Sequence, residues 1–99
     1  MSEFNQLEIL FFHKPGSDKA KSLDVLRQAV QESFSVEGCA FANDGSFSNS
    51  RQIVRLRADR SYTSARDMEV HARELAPEDQ FPWQRIGAVP VGQTQTFFC

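Results

Sequence analysis

Side chains that could act as nucleophiles, general bases or metal ligands are few in this sequence and lie far apart along it. The histidines are His13 and His71, and the cysteines are Cys39 and Cys99. Zinc sites place Cys or His ligands roughly two to five residues apart, and neither cysteine has such a ligand at that spacing. We therefore expect the protein to bind no metal and to need no cofactor.

Cys39 comes closest to a nucleophile, because a thiol becomes reactive when a neighbouring base lowers its pKa. It lies between Gly38 and Ala40, a setting of small residues that favours packing over catalysis. His71 lies at the edge of an apolar helical stripe, where histidine is usually a packing residue. These observations favour a protein without catalytic activity. The alternative is a small enzyme or small-molecule-binding domain with a cavity near His71, Cys39 or Trp83.

A further group of candidates lies on one basic segment, in which Arg55 and Arg57 occupy alternate positions. Residues 51–73 carry a net charge of +3 within a chain of net charge -2. Arginines beside aromatic rings such as Phe12 and Phe41 are typical of sheets that bind single-stranded nucleic acid. The isoelectric point of about 5.6 and the lack of an RNA-recognition-motif signature argue against that function, so we rank it below a solvated strand.

The strands that must position these side chains follow from apolar runs, alternation and turn signals. They are predicted at 7–13, 36–42, 52–58 and 83–89, with a possible short strand at 94–98. The polar stretch through 43–50 indicates a hairpin loop between the second and third strands.

Two helices are predicted from their caps and apolar stripes. The first follows Ser17-Asp18, and the second begins near Ser64 and ends before Pro77. The stripe of the first helix is formed by Leu23, Leu26, Val30 and Phe34. The second carries Ala65, Met68, Ala72 and Leu75.

The order strand, helix, strand, strand, helix, strand is that of ferredoxin-like α+β sandwiches. We therefore predict one domain over residues 1–99, a four-stranded antiparallel sheet with both helices on one face. The stretch 94–98 would add a short fifth strand or cross back over the sheet. Such a widely used fold does not define an activity, so function must be argued from side chains.

The sheet face opposite the helices is predicted to be apolar, because strand side chains alternate between the two faces. This outer sheet face is expected to present Leu10, Phe12, Phe41, Ile53, Arg55 and Arg57. A monomer seldom leaves that much contiguous apolar surface in water. Three coverings are open: a second copy of the chain, a different macromolecule, or the C-terminal segment with Phe97 and Phe98.

Two aromatic residues fall in or beside predicted loops. Phe47 stands alone in the polar stretch 43–50, where it would suit either an anchor for a partner or a lid on the core. Trp83 follows Phe81-Pro82 at the start of the fourth strand, and we expect it to fold back over the edge of the core.

Length and composition define the class of protein. The chain has 99 residues, of which 40% are apolar and 24% charged, as in one folded domain. No apolar run approaches the roughly 20 residues that span a bilayer, so we expect no membrane association. The N-terminus lacks a signal-peptide pattern, from which we expect a cytoplasmic protein with reduced cysteines.

The sequence thus predicts a non-enzymatic interaction module that binds another macromolecule, as a homodimer formed through the outer sheet face. The binding residues assigned to it are Phe12, Phe41, Phe47, Ile53, Arg55 and Arg57. Another protein is the next partner considered, and nucleic acid ranks last.

Overall fold

The computed structural model describes residues 3–14, 16–42 and 51–93. Its elements, in chain order, are β1 (Phe4–Phe12), α1 (Lys19–Val30), β2 (Phe34–Ala42), β3 (Arg51–Tyr62), α2 (Ala65–Leu75) and β4 (Trp83–Pro90). The predicted order of strands and helices is therefore confirmed. The predicted loop through 43–50 and the possible strand at 94–98 lie outside the described residues.

The four strands form one antiparallel sheet with the order β2-β3-β1-β4. The α+β class with a four-stranded antiparallel sheet is confirmed. One boundary was predicted wrongly: Phe34 begins β2, whereas the periodicity had placed it on the first helix. α1 ends at Val30, and the turn through Ser33 redirects the chain while keeping Phe34 in the core.

Both helices begin at capped ends, as predicted. The Asp18 carboxylate accepts hydrogen bonds from the backbone amides of Ala20 and Lys21, at 3.0 and 3.2 Å. The Ser64 hydroxyl accepts from the amides of Arg66 and Asp67, at 3.1 and 3.4 Å. These bonds satisfy amides that have no partner within a first helical turn. Neither helix in the described ranges is long and apolar enough to cross a membrane.

The core lies between the helices and one face of the sheet. Leu7, Ile9 and Phe11 of β1 are buried there, in register with Leu56, Val54 and Gln52 of β3. The helices add the buried side chains of Leu26, Val30, Met68 and Ala72. The predicted inward set of β1 is thus confirmed, and one polar residue, Gln52, shares its face.

A β-bulge in β2 changes which side of the sheet Phe41 occupies. Gly38 pairs with Val54, but Phe41 pairs with Gln52, so the register shifts between them. An extra residue on one strand reverses the alternation beyond it. The predicted placement of Phe41 on the outer sheet face is therefore wrong, because the bulge puts it on the face of Gln52.

Candidate functional site

An apolar cavity of about 500 Å³ lies where the end of β1 meets α1 and the α2–β4 connection. Its apolar walls are formed by Phe11, Phe12, Val25, Phe81 and Pro82. Its polar lining comes from His13, Lys14, Ser22 and Gln80. Volumes between about 300 and 1,000 Å³, with apolar walls and few polar groups, are usual for sites that bind small molecules.

Backbone hydrogen bonds hold the α2–β4 connection against β1. The Phe12 amide donates to the Pro82 carbonyl at 3.0 Å. Within the connection, the Phe81 amide donates to the Pro77 carbonyl at 2.8 Å. Phe81 is buried, and these bonds fix its ring and Pro82 as one wall of the cavity.

His13 is the buried polar residue of this cavity, with 4% of its surface exposed. Its Nε2 lies 2.8 Å from Oε1 of Gln52. The Phe11 ring stands edge-on to the imidazole, with centroids 5.0 Å apart, and the Phe41 ring lies 5.8 Å away. Two rings and one amide therefore hold the imidazole in place at the end of the core.

The Gln52 amide connects His13 to β2. Its Nε2 donates to the Cys39 carbonyl at 3.4 Å. A Cβ built on Gly38 would lie 2.7 Å from that Nε2, closer than two such atoms can approach. Gly38 therefore leaves the space that this amide occupies.

The other nitrogen of His13, Nδ1, is buried and has no hydrogen-bond partner in the part of the chain that the structure describes. Buried polar atoms are almost always hydrogen-bonded, and three other side-chain atoms in the described ranges share this state: Gln6 Oε1, Arg55 Nε and Arg73 Nη1.

The outer sheet face holds most of the other predicted binding residues. Phe12 pairs with Arg51, whose guanidinium carbon lies 5.6 Å from the centre of its ring. Leu10 pairs with Ile53, and both are half-buried. The structure therefore places Phe12, Ile53, Arg55 and Arg57 on one face, while Phe47 lies outside the described residues.

Charges on the outer sheet face are already engaged with one another. Glu37 lies 3.3 Å from Arg55 and 3.6 Å from Arg57. Glu8 pairs with Arg55 in the β1–β3 register and is fully buried. The large hydrophobic side chains found exposed in the described ranges are Val25, Phe41, Val70 and Val91. Leu10, Phe12 and Ile53 are not among them, because all three are half-buried. The outer sheet face is therefore less exposed than the sequence predicts.

His71 belongs to a separate aromatic cluster at the far end of β3. The Tyr62 hydroxyl lies 2.6 Å from His71 Nδ1, and the Tyr62 ring stacks parallel to Phe34 with centroids 6.3 Å apart. Burial raises the pKa of Tyr62 above its ordinary value of 10.0. His71 does not line the cavity, and its contacts are those of a packing residue.

Trp83 is buried in the core, which confirms the expectation that it folds back. Its Nε1 donates to the Ala76 carbonyl at 3.1 Å, and the Arg73 guanidinium lies 3.9 Å from its ring centre. Arg73 and Arg85 both pair with Glu69, at 3.3 and 3.0 Å. Trp83 therefore anchors β4 to α2.

Cys39 is disulfide-bonded, so the expectation of a reduced thiol at this position is wrong. The other cysteine of the chain, Cys99, lies outside the described residues. A disulfide sulfur carries no thiolate, which removes Cys39 as a nucleophile in this state. Within residues 3–14, 16–42 and 51–93, no three His, Cys, Asp or Glu side chains are grouped to hold a metal ion.

Sequence reasoning missed Gln52, Phe81 and Pro82 as parts of the site. A signal existed for Gln52, which occupies an inward position in the alternating strand with Val54 and Leu56. A polar residue in such a position needs a buried partner. No local signal joined Phe81 to β1, because that contact depends on how distant segments pack.

The chain matches no protein-family model, and no significant match was found among curated proteins or solved structures.

Proposed function

We propose that this chain is a small-molecule-binding domain that holds a compact, mostly apolar ligand in the cavity between β1, α1 and the α2–β4 connection. The observation that carries the proposal is the cavity itself, about 500 Å³ with mainly apolar walls. A ferredoxin-like arrangement is part of the proposal, supported by the element order and the sheet order β2-β3-β1-β4.

Apolar walls favour ligands with little exposed polar surface, because burying that surface against Phe11, Phe81 and Pro82 releases water from both. The polar groups in the lining then fix how the ligand is oriented. This proposal takes up the small-molecule alternative, with the site at His13 rather than near His71 or Cys39.

Isothermal titration calorimetry with the methyl ether of beta-naphthol tests the proposal, because this ligand is flat, apolar and uncharged. We expect saturable binding to one site per chain. Val25→Glu places a carboxylate in the cavity wall and should weaken binding by about tenfold or more, equivalent to at least ~1.4 kcal/mol.

Val70→Glu is the matched control. Val25 and Val70 are exposed to similar extents, 53% and 47%, but only Val25 lines the cavity. The control should bind as the wild type does. Equal affinities for all three proteins, or no binding by the wild type, would refute the proposal.

A second candidate function is self-association through the outer sheet face, with a second copy of the chain as the occupant. The paired Leu10 and Ile53 supply half-buried apolar surface. Beside them lie Arg57 and Glu37, whose side chains are 50% and 59% exposed and opposite in charge. A twofold axis can bring such a pair on one copy against the same pair on the other.

A further inference from the structure

We propose that the C-terminal residues 94–99 lie across the outer sheet face as a strap, which a disulfide bond between Cys99 and Cys39 holds at its end. The occupant of this face is thus a segment of the same chain that lies outside the described residues. The proposal does not depend on the cavity, whose lining includes none of the residues that carry it.

Cys39 fixes the far end of the strap. It is disulfide-bonded, and Cys99 is the one other cysteine of the chain, so its partner within the chain is Cys99. A Cβ on the preceding residue, Gly38, would meet Leu23 of α1, so Gly38 faces the helices. Because strand residues alternate, Cys39 then faces the outer side of the sheet.

Two side chains on the outer sheet face are buried although the helices lie on the other side. Glu8, which pairs with Arg55 and Gly87, is fully buried. Val89 pairs with Gln6 and is 1% exposed, yet it does not belong to the core cluster. The described elements outside the sheet are the two helices, which pack on the opposite face. The cover must therefore come from residues outside the described ranges.

The residues that need this cover form a strip across all four strands. In sheet order the strip runs from Val89 on β4 through Glu8 on β1 and Arg55 on β3 to Cys39 on β2. The Arg55 side chain is only 13% exposed. With strands about 4.8 Å apart and a rise of about 3.3 Å per residue, the strip is about 20 Å long.

The length of the C-terminal segment matches the strip. The chain turns after β4, where Gly92 has a φ of +88° and the Gln93 amide donates to the Pro90 carbonyl at 3.2 Å. The six residues beyond Gln93 reach about 20 Å when extended. A disulfide joins Cα atoms about 5 Å apart, so Cys99 can reach its partner by a direct path over the face. A path around the edge of the sheet would be longer than this reach.

Other segments outside the described ranges do not fit the strip. Residues 43–50 connect Ala42 to Arg51, at the end of β3 farthest from Val89. Residues 1, 2 and 15 are too few to cross four strands. The C-terminal segment is therefore the occupant that the geometry favours.

The strap and a second copy of the chain do not exclude each other. Arg57 and Glu37 keep 50% and 59% of their side-chain surface exposed. A second copy can contact these charges beside the strap.

Peptide mass spectrometry of the unreduced full chain tests the anchor. We expect the peptide with Cys39 to be linked to the peptide with Cys99, and the denatured, unreduced chain to migrate as a monomer. Free thiols, or a covalent dimer, would overturn the proposal.

Proton NMR of the wild type tests the cover without any variant. The Val89 methyl groups should show nuclear Overhauser contacts to residues 94–99. They should also be protected from a soluble paramagnetic probe, as Val54 is in the core and Val70, 47% exposed, is not. Relaxation of Val89 like that of Val70, or contacts to residues 43–50 instead, would contradict the strap.

The Cys99→Ser variant links the anchor to the cover. Val89→Ala should lower the urea midpoint more in the wild type than in the Cys99→Ser background, because the cover is held less firmly without the disulfide. Val54→Ala is the matched control and should have the same effect in both backgrounds, since Val54 is buried beneath the helices. Equal effects of Val89→Ala in the two backgrounds would show that the disulfide does not hold a cover over Val89.

Discussion

At the scale of single residues, the most informative position is Gln52, a polar side chain on the apolar face of β3. Its amide bonds both His13 and the Cys39 carbonyl, so one residue ties β1 to β2 across β3. Buried polar groups stabilise a fold when every bond is made and destabilise it when one is lost. The space left by Gly38 is therefore as important as the amide itself.

Gly38→Ala should destabilise the protein by about 1–2 kcal/mol, measured by urea unfolding. The new Cβ would stand 2.7 Å from Gln52 Nε2 and 3.0 Å from Leu23 Cδ2, so the amide must move and lose its bonds. The same substitution in a Gln52→Ala background should cost less, because the nearer obstacle is gone. An identical cost in both backgrounds would show that the amide does not occupy this space.

Tyr62→Phe should cost about 1 kcal/mol near neutral pH, because Tyr62 bonds His71 Nδ1 at 2.6 Å. The measurement is urea unfolding of both proteins, with far-ultraviolet circular dichroism to confirm that the fold is retained. No change in the free energy of unfolding would mean that this bond is exchanged for water without loss.

The pH dependence of Tyr62 has a definite sign. Burial raises its pKa in the folded state above the ordinary 10.0, so its neutral form is favoured by folding. That contribution is complete below pH 10.0 and is lost as the pH rises through the folded-state pKa. Tyr62 is the one tyrosine of the chain, so near-ultraviolet absorbance reports it directly.

We therefore expect an absorbance midpoint above 10.0 in the folded protein and near 10.0 in urea. The difference in unfolding free energy between wild type and Tyr62→Phe should shrink above that pH. A midpoint at or below 10.0 in the folded protein would contradict burial as the dominant influence.

At the scale of elements, α1 and α2 have different tasks although both cover the same sheet face. α1 supplies Ser22 and Val25 to the cavity, whereas no residue of α2 lines it. α2 instead packs against β4 through Trp83, whose Nε1 donates a hydrogen bond to the Ala76 carbonyl at the C-terminal end of α2. Substitutions at the start of α1 should therefore change the affinity for a ligand in the cavity, and equivalent substitutions in α2 should not.

Removal of the helix caps tests that division. Asp18→Ala and Ser64→Ala should each lower the free energy of unfolding by about 1 kcal/mol, because each leaves two first-turn amides without their acceptor. Only Asp18→Ala should also weaken ligand binding, since Ser22 lies one turn from that cap. Equal affinities for the two variants would show that the first turn of α1 does not shape the cavity.

At the scale of the whole molecule, the proposed self-association concerns the outer sheet face. Of its two ion pairs from Glu37, the one to Arg57 joins two largely exposed side chains and adds little to stability, whereas the Arg55 side chain in the other is only 13% exposed. They do give the face both signs of charge, which suits a contact between identical copies.

Sedimentation velocity at micromolar concentrations tests the homodimer. We expect a dimer for the wild type and for Val70→Glu, and a monomer for Ile53→Glu and Arg57→Glu, which alter the outer sheet face. Arg57 is half exposed, so its replacement should not unfold the chain even if that of Ile53 does. A monomeric wild type would refute self-association and leave the cavity proposal unaffected.

The sequence by itself determined the order of the elements, both helix caps and the inward set Leu7, Ile9 and Phe11. These features depend on residues near one another in the chain, where periodicity, capping and turn preference act directly. The wrong assignment of Phe34 to the first helix also came from a local pattern. Phe34 follows Val30 at a helical spacing of four residues, although α1 ends at Val30.

Only the tertiary structure decided the side of the sheet that Phe41 occupies, the bond between His13 and Gln52, and the cavity. A bulge is set by how two strands pair, and one extra residue reverses every side chain beyond it. The cavity joins β1, α1 and the α2–β4 connection, which lie far apart in sequence. Such contacts depend on how complete elements pack together, and no local pattern encodes that packing.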